Sequence, residues 1–177
     1  FFTPNYIVRF MLNSSKLTSG QKVLDPCCGS GAFLLGALNY FVENLKLPLK
    51  TVLNSSLFGI DICEYNIIRT RLILSLYSYM HDEVTDDSDF NLVTSDSLNI
   101  DIKHLFDPAS NGFDLIIGNP PYVKFQDLDQ KTRINLQSRW QTPQFGSFNL
   151  YFPFFELGIN EITEDGQVIY ISPNNYF

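Results

Sequence analysis

The residues best suited to chemistry are Asn119-Pro120-Pro121-Tyr122, which follow the apolar run Leu115-Ile116-Ile117 and Gly118. The apolar run predicts a buried parallel strand, and the two prolines end it because neither can donate to a β-ladder. We therefore expect a rigid loop at the carboxyl end of a strand, where open α/β sheets bind ligands. An amide, carbonyls without local N–H partners and a flat ring suit a planar group that bears an amino function. The alternative is a tight structural turn.

Three aspartates stand at equivalent points near this loop in the predicted sheet. Asp25, Asp61 and Asp96 each lie at the carboxyl end of a short, mostly apolar segment. Strands are predicted over 22–25, 57–61, 90–94 and 112–117. A ligand that carries an ammonium group, a ribose and an adenine amino group would use all three carboxylates. Aspartate is also common in loops, so each one alone is a weak signal.

A glycine loop separates the first predicted strand from a predicted apolar helix over 32–45. Gly29 and Gly31 would let the backbone approach a ligand closely, as in nucleotide-binding α/β units. The Gly-Lys-Ser/Thr signature of a triphosphate loop is absent from the sequence, and Leu34 occupies the third glycine position of the dinucleotide fingerprint. Asp25 beside the loop favours a cationic ligand group over a pyrophosphate.

Further elements complete the prediction at both ends of the chain. Thr3 is expected to cap a helix whose first position is Pro4. Helices are also predicted over 64–80, with apolar positions 67, 68, 72, 76 and 79, and from about 149 to 162. Asp165-Gly166 reads as a turn before a fifth strand over 167–172.

The segment 123–148 is polar and lacks a clear period, so it is predicted to be a long loop. It contains both basic and aromatic residues: Lys124, Lys131, Arg133, Arg139, Trp140 and Phe145. They suit either contacts to a nucleic-acid strand or a solvated lid with a hydrophobic anchor.

The bulk composition limits the class of protein. The 177 residues carry a net charge of −7, which taken alone argues against a nucleic-acid binder, although part of that charge is concentrated in the acidic stretch 82–89. Three cysteines form neither a disulfide framework nor a zinc spacing, which fits a reducing cytoplasm. The sequence contains no apolar run of about 18 residues that would suggest a membrane span.

Several motifs in order resemble those of adenine-specific (N6) DNA methyltransferases from restriction–modification systems, in the type IIG and type I group. The motif Asp25–Leu34 resembles the family's D-P-A-C-G-S-G-x-F-L, with Cys27 in place of the usual alanine. The other matching stretches are Phe2-Thr3-Pro4 with Ile7-Val8 and Met11, Gly59-Ile60-Asp61, Ser95-Asp96-Ser97, Asn119–Tyr122, Asn149-Leu150-Tyr151 with Phe154 and Glu156, and Gly166–Pro173.

The resemblance implies an α/β, Rossmann-like methyltransferase fold with a mostly parallel sheet and helices on both faces, truncated after the fifth strand. It implies one catalytic domain over 1–177, with an amino-terminal helix region at 1–20 and a cofactor-binding core at 21–122. A substrate-side loop would follow at 123–148, then a helix and the fifth strand at 149–177. A target recognition domain would lie outside the chain. We expect such a fragment to bind cofactor weakly and not to methylate DNA specifically.

The resemblance also implies S-adenosylmethionine as cofactor, no metal, and a role for each matching residue. Asp25 and its loop, with Cys27, Gly29 and Gly31, would hold the methionine end. Asp61 with Ile62 would bind the ribose, and Asp96 with Ser97 the adenine. Thr3 and Pro4 would close over the methionine, and Phe154 would pack against the adenine. Asn119 and the Pro120 carbonyl, in a loop with Pro121, would accept the two hydrogens of the target amino group. Tyr122 would stack on the target base.

The implied partners are double-stranded DNA with a flipped adenine and specificity or nuclease subunits or fused domains, with no membrane. RNA and protein-glutamine methyltransferases share the Asn-Pro-Pro-Tyr loop and remain alternatives. A cofactor-binding module without catalysis is a third.

Overall fold

The sheet of this protein is parallel throughout and reverses its strand order at one point. The computed structural model describes residues 3–106, 109, 111–144 and 149–173. The strands are β1 Val23–Asp25, β2 Leu57–Asp61, β3 Asn91–Thr94, β4 Phe113–Gly118 and β5 Ile162–Tyr170. They pair in the order β3-β2-β1-β4-β5. The crevice between β1 and β4 is therefore the switch point at which open α/β sheets bind ligands.

Helices cover both faces of the sheet. They are α1 Asn5–Ser15, α2 Ala32–Asn39 (continued by a π-helical turn over Tyr40–Asn44), α3 Leu49–Ser55, α4 Glu64–Tyr79, α5 Ile102–Leu105, α6 Gln130–Arg139 and α7 Tyr151–Glu161. Successive strand residues point to opposite faces. Val23 accordingly packs with α1, α2 and α3, whereas Leu24 packs with α5, α6 and α7. The predicted Rossmann-like fold is confirmed, and none of the described helices is long and apolar enough to cross a bilayer.

The amino-terminal helix begins one residue later than predicted, and Thr3 does not cap it. The carbonyl of Pro4 accepts from the N–H groups of Ile7 and Val8, so α1 starts at Asn5. Pro4 has an extended backbone (ψ 141°), which turns the preceding Thr3 away from the helix. Phe2, which belongs to the same predicted motif, lies outside the described residues, as do Phe145 and residues 174–177.

The predicted long loop at 123–148 contains the helix α6. Asp129 caps it, because its carboxylate accepts from the Thr132 N–H at 3.0 Å. The prediction was wrong here because Leu136 is the one buried residue of α6, so the sequence lacks an apolar period.

Two further elements differ from the prediction. The helix α3 was not predicted at all. Asp165-Gly166 lies within β5 rather than in a turn before it, because Ile162 already pairs with Phe113. The register shifts between that pair and the next, Leu115 with Gln167, so the strand takes up the extra residues as a bulge.

Candidate active site

The loops that follow the strands enclose one cavity of about 1090 Å³. Most of the predicted site residues line it: Cys27, Gly29, Asp61, Ile62, Asp96, Ser97, Asn119, Pro121 and Phe154. The remaining predicted residues are not part of its wall: Thr3, Pro4, Asp25, Gly31, Pro120 and Tyr122. The strand-end residues therefore converge as expected, with Asp25 as the exception among the three acids.

Asp25 lies beneath the glycine loop, and only 1% of it is exposed. Its Oδ1 accepts from the Cys27 N–H at 3.1 Å, and a side chain at Gly118 would place its Cβ 2.8 Å from the same oxygen. Burial raises the pKa of Asp25 to about 7, against the lowering effect of the Cys27 N–H. The negative charge of Asp61 raises this pKa further. The carboxyl group thus supports the loop from below.

Cys27, whose thiol stands where the resembling motif has the methyl group of alanine, is one of the residues of the cavity wall. Burial and then the charge of Asp25 raise the pKa of this thiol well above its usual range. It is therefore a protonated, weakly nucleophilic group at neutral pH.

Asp61 ties the glycine loop to the end of β2. Its Oδ2 accepts from the Gly29 N–H at 2.8 Å, and its Oδ1 accepts from the Cys63 N–H at 2.9 Å and from Asn66 Nδ2 at 3.0 Å. A carboxylate offers about four acceptor positions, so one remains for a ligand hydroxyl.

The glycine loop fits against α4 because Gly31 has no side chain. Gly31 has a φ of +79°, and a Cβ there would lie 2.8 Å from Thr70. Thr70 Oγ1 also donates to the Gly29 carbonyl at 3.1 Å. The loop backbone therefore packs closely against the helix, whereas on the cavity side a Cβ at Gly29 would contact only the Cys27 carbonyl, at 3.9 Å.

The loop after β3 is linked to the end of β2 and to the loop after β1. Asp96 Oδ1 accepts from the Leu98 N–H at 3.0 Å, and its Oδ2 accepts from Asn99 Nδ2 at 2.5 Å. Ser97 Oγ donates to the Pro26 carbonyl at 2.5 Å. The Ser95 N–H donates to the Asp61 carbonyl at 2.9 Å. These bonds fix the carboxylate of Asp96 at the cavity wall.

Helix α6 closes the same side of the cavity. Trp140 Nε1 donates to the Leu98 carbonyl at 3.1 Å, and Arg139 Nη1 donates to the Asn99 carbonyl at 2.7 Å. Arg133 is also turned inward, since its Nε donates to the Leu128 carbonyl at 2.8 Å. For these three residues the contacts match the lid alternative, because their side chains bind the protein's own carbonyls.

The Asn119 amide is held by hydroxyl groups at both of its ends. Tyr122 Oη donates to Asn119 Oδ1 at 2.5 Å and lies 2.8 Å from the Ile171 carbonyl, so one hydrogen is shared between two acceptors. Asn119 Nδ2 lies 3.4 Å from Thr3 Oγ1. Thr3 is thus brought beside the predicted catalytic residue rather than into the cavity wall.

The carbonyl of Pro120 accepts no hydrogen bond from the described part of the chain. An acceptor without a partner therefore stands next to the oriented amide of Asn119.

The segment Asn149-Leu150-Tyr151 closes the other side of the loop. The Leu150 N–H donates to the Val123 carbonyl at 2.8 Å, and the Tyr151 ring meets the Tyr122 ring edge-on, with the ring centres 6.0 Å apart. Glu156 accepts from the N–H groups of Gln141 and Thr142, each at 2.9 Å, and so fixes the chain after α6.

Sequence reasoning did not assign several other cavity residues: Leu98, Asn99, Asn135, Leu136 and Leu150. Asn99 could have been suspected, because an amide three residues after Asp96 is well placed to bond back to it. Asn135 and Leu136 carried no usable signal, since their helix was not predicted.

The lining of the cavity suits an organic ligand with several polar groups. Among the described residues no group of three or more His, Cys, Asp or Glu side chains is placed to hold a metal. The wall combines the carboxylates of Asp61 and Asp96 with the apolar Leu98, Leu150 and Phe154, which is typical of a site that fixes a partly apolar cofactor by a few polar contacts.

The chain is similar to restriction–modification methylases over most of its length. The sequence model described as Eco57I restriction-modification methylase matches residues 55–177. The type II restriction enzyme and methyltransferase RM.Eco57I of Escherichia coli is 25% identical over 98% of the chain. The methylase subunit of the type I restriction enzyme MpnII of Mycoplasma pneumoniae is 30% identical over 76% of it. The chain spans 23% of the length of each.

A solved structure gives the same fold at low sequence identity. The ATP-dependent type ISP restriction-modification enzyme LlaBIII, bound to DNA, matches 99% of the chain with a TM-score of 0.75 and 16% identity. The chain covers 15% of that protein.

Proposed function

We propose, from the premise that the chain belongs to the Eco57I restriction-modification methylase family, that it transfers a methyl group from S-adenosylmethionine to the N6 amino group of adenine in DNA. One observation carries the proposal. The amide of Asn119 stands at the wall of the cavity that Asp61 and Asp96 also line. An acceptor pair for an amino group thus adjoins a pocket suited to a nucleoside.

The residues of the cavity fit this cofactor. Asp61, Asp96, Leu150 and Phe154 all line the cavity. Asp61 would offer its remaining acceptor position to a ribose hydroxyl, Asp96 would accept from the adenine amino group, and Leu150 and Phe154 would pack against the adenine ring. We propose that the glycine loop, supported by Asp25, borders the methionine end. The bound cofactor supplies an electrophilic methyl group on a sulfonium centre.

The acceptor side of the reaction follows from the chemistry of an aromatic amine. The amino nitrogen of adenine is a weak nucleophile because its lone pair is delocalised into the ring. The Asn119 Oδ1 and Pro120 carbonyl oxygens would each accept one of its two hydrogens, which draws the nitrogen toward a tetrahedral shape and localises the lone pair. Positioning and electrostatics of this kind need no strong base before the transfer. Tyr122 would stack on the target base.

The proposed partners follow from the family rather than from a basic surface. A target adenine must leave the duplex to reach a site at the bottom of a cavity. We propose double-stranded DNA with a flipped adenine as substrate, and specificity or nuclease subunits or fused domains as partners. We propose that the chain forms a single catalytic domain. Its cofactor-binding core spans 21–122, and the segment 123–148 contains the lid helix α6.

A labelled-methyl transfer assay tests the proposal. The native protein, together with any further domains or subunits that accompany this chain, is incubated with methyl-labelled S-adenosylmethionine and, separately, with DNA, RNA and a glutamine-containing protein substrate. Nucleosides from the DNA are then separated by chromatography. We expect the label in N6-methyldeoxyadenosine. Label in cytosine, in RNA or in protein would assign the same pocket to a different acceptor.

A further inference from the structure

Three side chains form a hydrogen-bonded chain from the loop after β3 to helix α6. Asn99 Nδ2 donates to Asp96 Oδ2 at 2.5 Å, and Asn135 Nδ2 donates to Asn99 Oδ1 at 2.5 Å. All three residues are partly buried, and all three line the cavity. We refer to them below as the relay.

The carboxylate of Asp96 determines which end of each amide in the relay is the donor. An ionised carboxylate only accepts hydrogen bonds, so Asn99 must turn its nitrogen toward Asp96. Its oxygen is then directed to Asn135, which must present a nitrogen in turn. Loss of the donor at Asn135 would free Asn99 to rotate, and the hold on Asp96 Oδ2 would be lost with it.

The α6 end of the relay is anchored independently. Leu136 is 3% exposed and packs in the core cluster that contains Leu98 and Phe154. Arg139 and Trp140 bind the carbonyls of Asn99 and Leu98, as described above. Asn135 is therefore presented from a helix whose position does not depend on the relay itself.

We propose that Asn135 and Asn99 are positioning residues that aim Asp96 at the 6-amino group of the cofactor's adenine. The inference rests on the proposed function, which assigns Asp96 to that amino group. It adds that selection of adenine over other purines depends on α6, a helix outside the strand-end loops. The relay fixes the direction in which the lone pairs of Asp96 Oδ2 point. A purine with a 6-amino group can donate a hydrogen bond to them, and a purine without that group cannot.

Binding of two ligands tests the proposal without an activity measurement. The first ligand is S-adenosylhomocysteine, and the second is its analogue with hydrogen in place of the 6-amino group. Calorimetry gives both dissociation constants for the native protein and for Asn135→Ala. We expect the native protein to prefer the amino ligand, and N135A to reduce the preference about three- to tenfold, the range of one hydrogen bond. Binding of the second ligand should be nearly unchanged.

Two further variants separate positioning from packing. Asn135→Asp keeps the shape but removes the donor and sets a carboxylate against Asn99 Oδ1, so it should reduce the preference at least as much as N135A. Gln137→Ala removes an exposed amide from the same helix outside the cavity and should leave both constants unchanged. Thermal unfolding confirms that each variant is folded.

The outcomes distinguish this inference from the function on which it rests. The relay is overturned if N135A and N135D weaken binding of both ligands equally, or if neither variant changes binding. In either case the proposed cofactor site still stands, provided that the native protein prefers the amino ligand. A native protein that binds neither ligand, or binds both equally, overturns the proposed cofactor site and the relay with it.

Discussion

At the scale of single residues, the amide of Asn119 owes its orientation to its neighbours. A tyrosine hydroxyl hydrogen must point at an acceptor, and Tyr122 has two within reach, Asn119 Oδ1 and the Ile171 carbonyl. Either choice keeps the oxygen end of the amide on the Tyr122 side, because Nδ2 faces Thr3 Oγ1. One lone pair of Oδ1 then remains for a substrate hydrogen.

Asn119→Ala should separate catalysis from cofactor binding. The variant removes one of two acceptors for the target amino group, so we expect kcat to fall by about 10² to 10³ or more, as for other oriented hydrogen-bonding groups in active sites. The dissociation constant of S-adenosylhomocysteine should stay within about twofold of the native value, a change below about 0.5 kcal/mol. Single-turnover kinetics and calorimetry measure the two effects. Gln126→Ala, an exposed amide outside the cavity, serves as the control.

Asp25 should make the protein less stable as the pH rises toward neutrality. Burial raises its pKa in the folded protein to about 7 from the usual 3.8. Between these values the folded state holds the proton more tightly than the unfolded chain does. The free energy of unfolding therefore falls with rising pH, by at most about 1.4 kcal/mol per pH unit, and the loss is complete above about pH 7.

The comparison with Asp25→Asn isolates this contribution. Asparagine keeps an oxygen that accepts from the Cys27 N–H but does not titrate. Urea denaturation at a series of pH values from about 4 to about 8 gives the unfolding free energies of both proteins. We expect the native protein to lose stability relative to D25N across that range. Parallel curves would contradict a buried acid with a raised pKa.

At the scale of secondary-structure elements, the elements predicted correctly are those whose own sequence shows which of their residues are buried. β1, β2, β3 and β4 were predicted to within one residue at either end. For β1, β2 and β4 the reason is that buried parallel strands are short apolar runs, whereas β3 is only partly buried. Because the ends of these strands were predicted correctly, the positions of Asp25, Asp61 and Asp96 at the strand ends were predicted as well. Helix α6 was missed because it packs through Leu136 alone, and its placement depends on bonds to carbonyls at 98–99 that no local pattern encodes.

For helix α4, the sequence predicted the helix but not the face that it buries. The helix itself was predicted from 64 to 80, but most of its predicted apolar positions are exposed: Ile68 by 54%, Leu72 by 57%, Leu76 by 54% and Tyr79 by 76%. The buried positions are Ile67, Thr70, Leu74 and Ser78. Thr70 is buried because it supports the glycine loop, and that requirement places a polar residue on the inner face.

A pair of leucines on α4 tests this orientation. Leu74 is 2% exposed and packs in the core, so Leu74→Ala should lower the free energy of unfolding by about 2 to 5 kcal/mol. Leu72→Ala makes the same chemical change at an exposed position, and we expect a loss within about 0.5 kcal/mol. Urea denaturation measures both. The reverse ranking would mean that α4 is rotated relative to its place in this structure.

At the scale of the whole molecule, the cavity joins parts of the chain that are far apart in sequence. Its wall includes Pro26 from the first strand-end loop, Asp61, Asp96 and Asn119 from the next three, and Leu136 from α6. The loops already bind one another through Ser97 and Asp61, and the loop after β3 binds α6 through Asn99. A ligand that contacts all of these segments at once would be bound by the folded state only.

Saturation with S-adenosylhomocysteine should therefore stabilise the native protein as a unit. At about 100 times its dissociation constant, a ligand that binds only the folded state adds about 2.7 kcal/mol. For a domain of this size we expect a rise in Tm of about 5 to 10 °C. For amides that exchange by local opening, hydrogen exchange should slow at 95–99 and in α6 but not in α1, which does not line the cavity. A rise in Tm without protection of α6 would show that the ligand occupies the strand-end loops alone, so that α6 would not act as a lid over the bound cofactor.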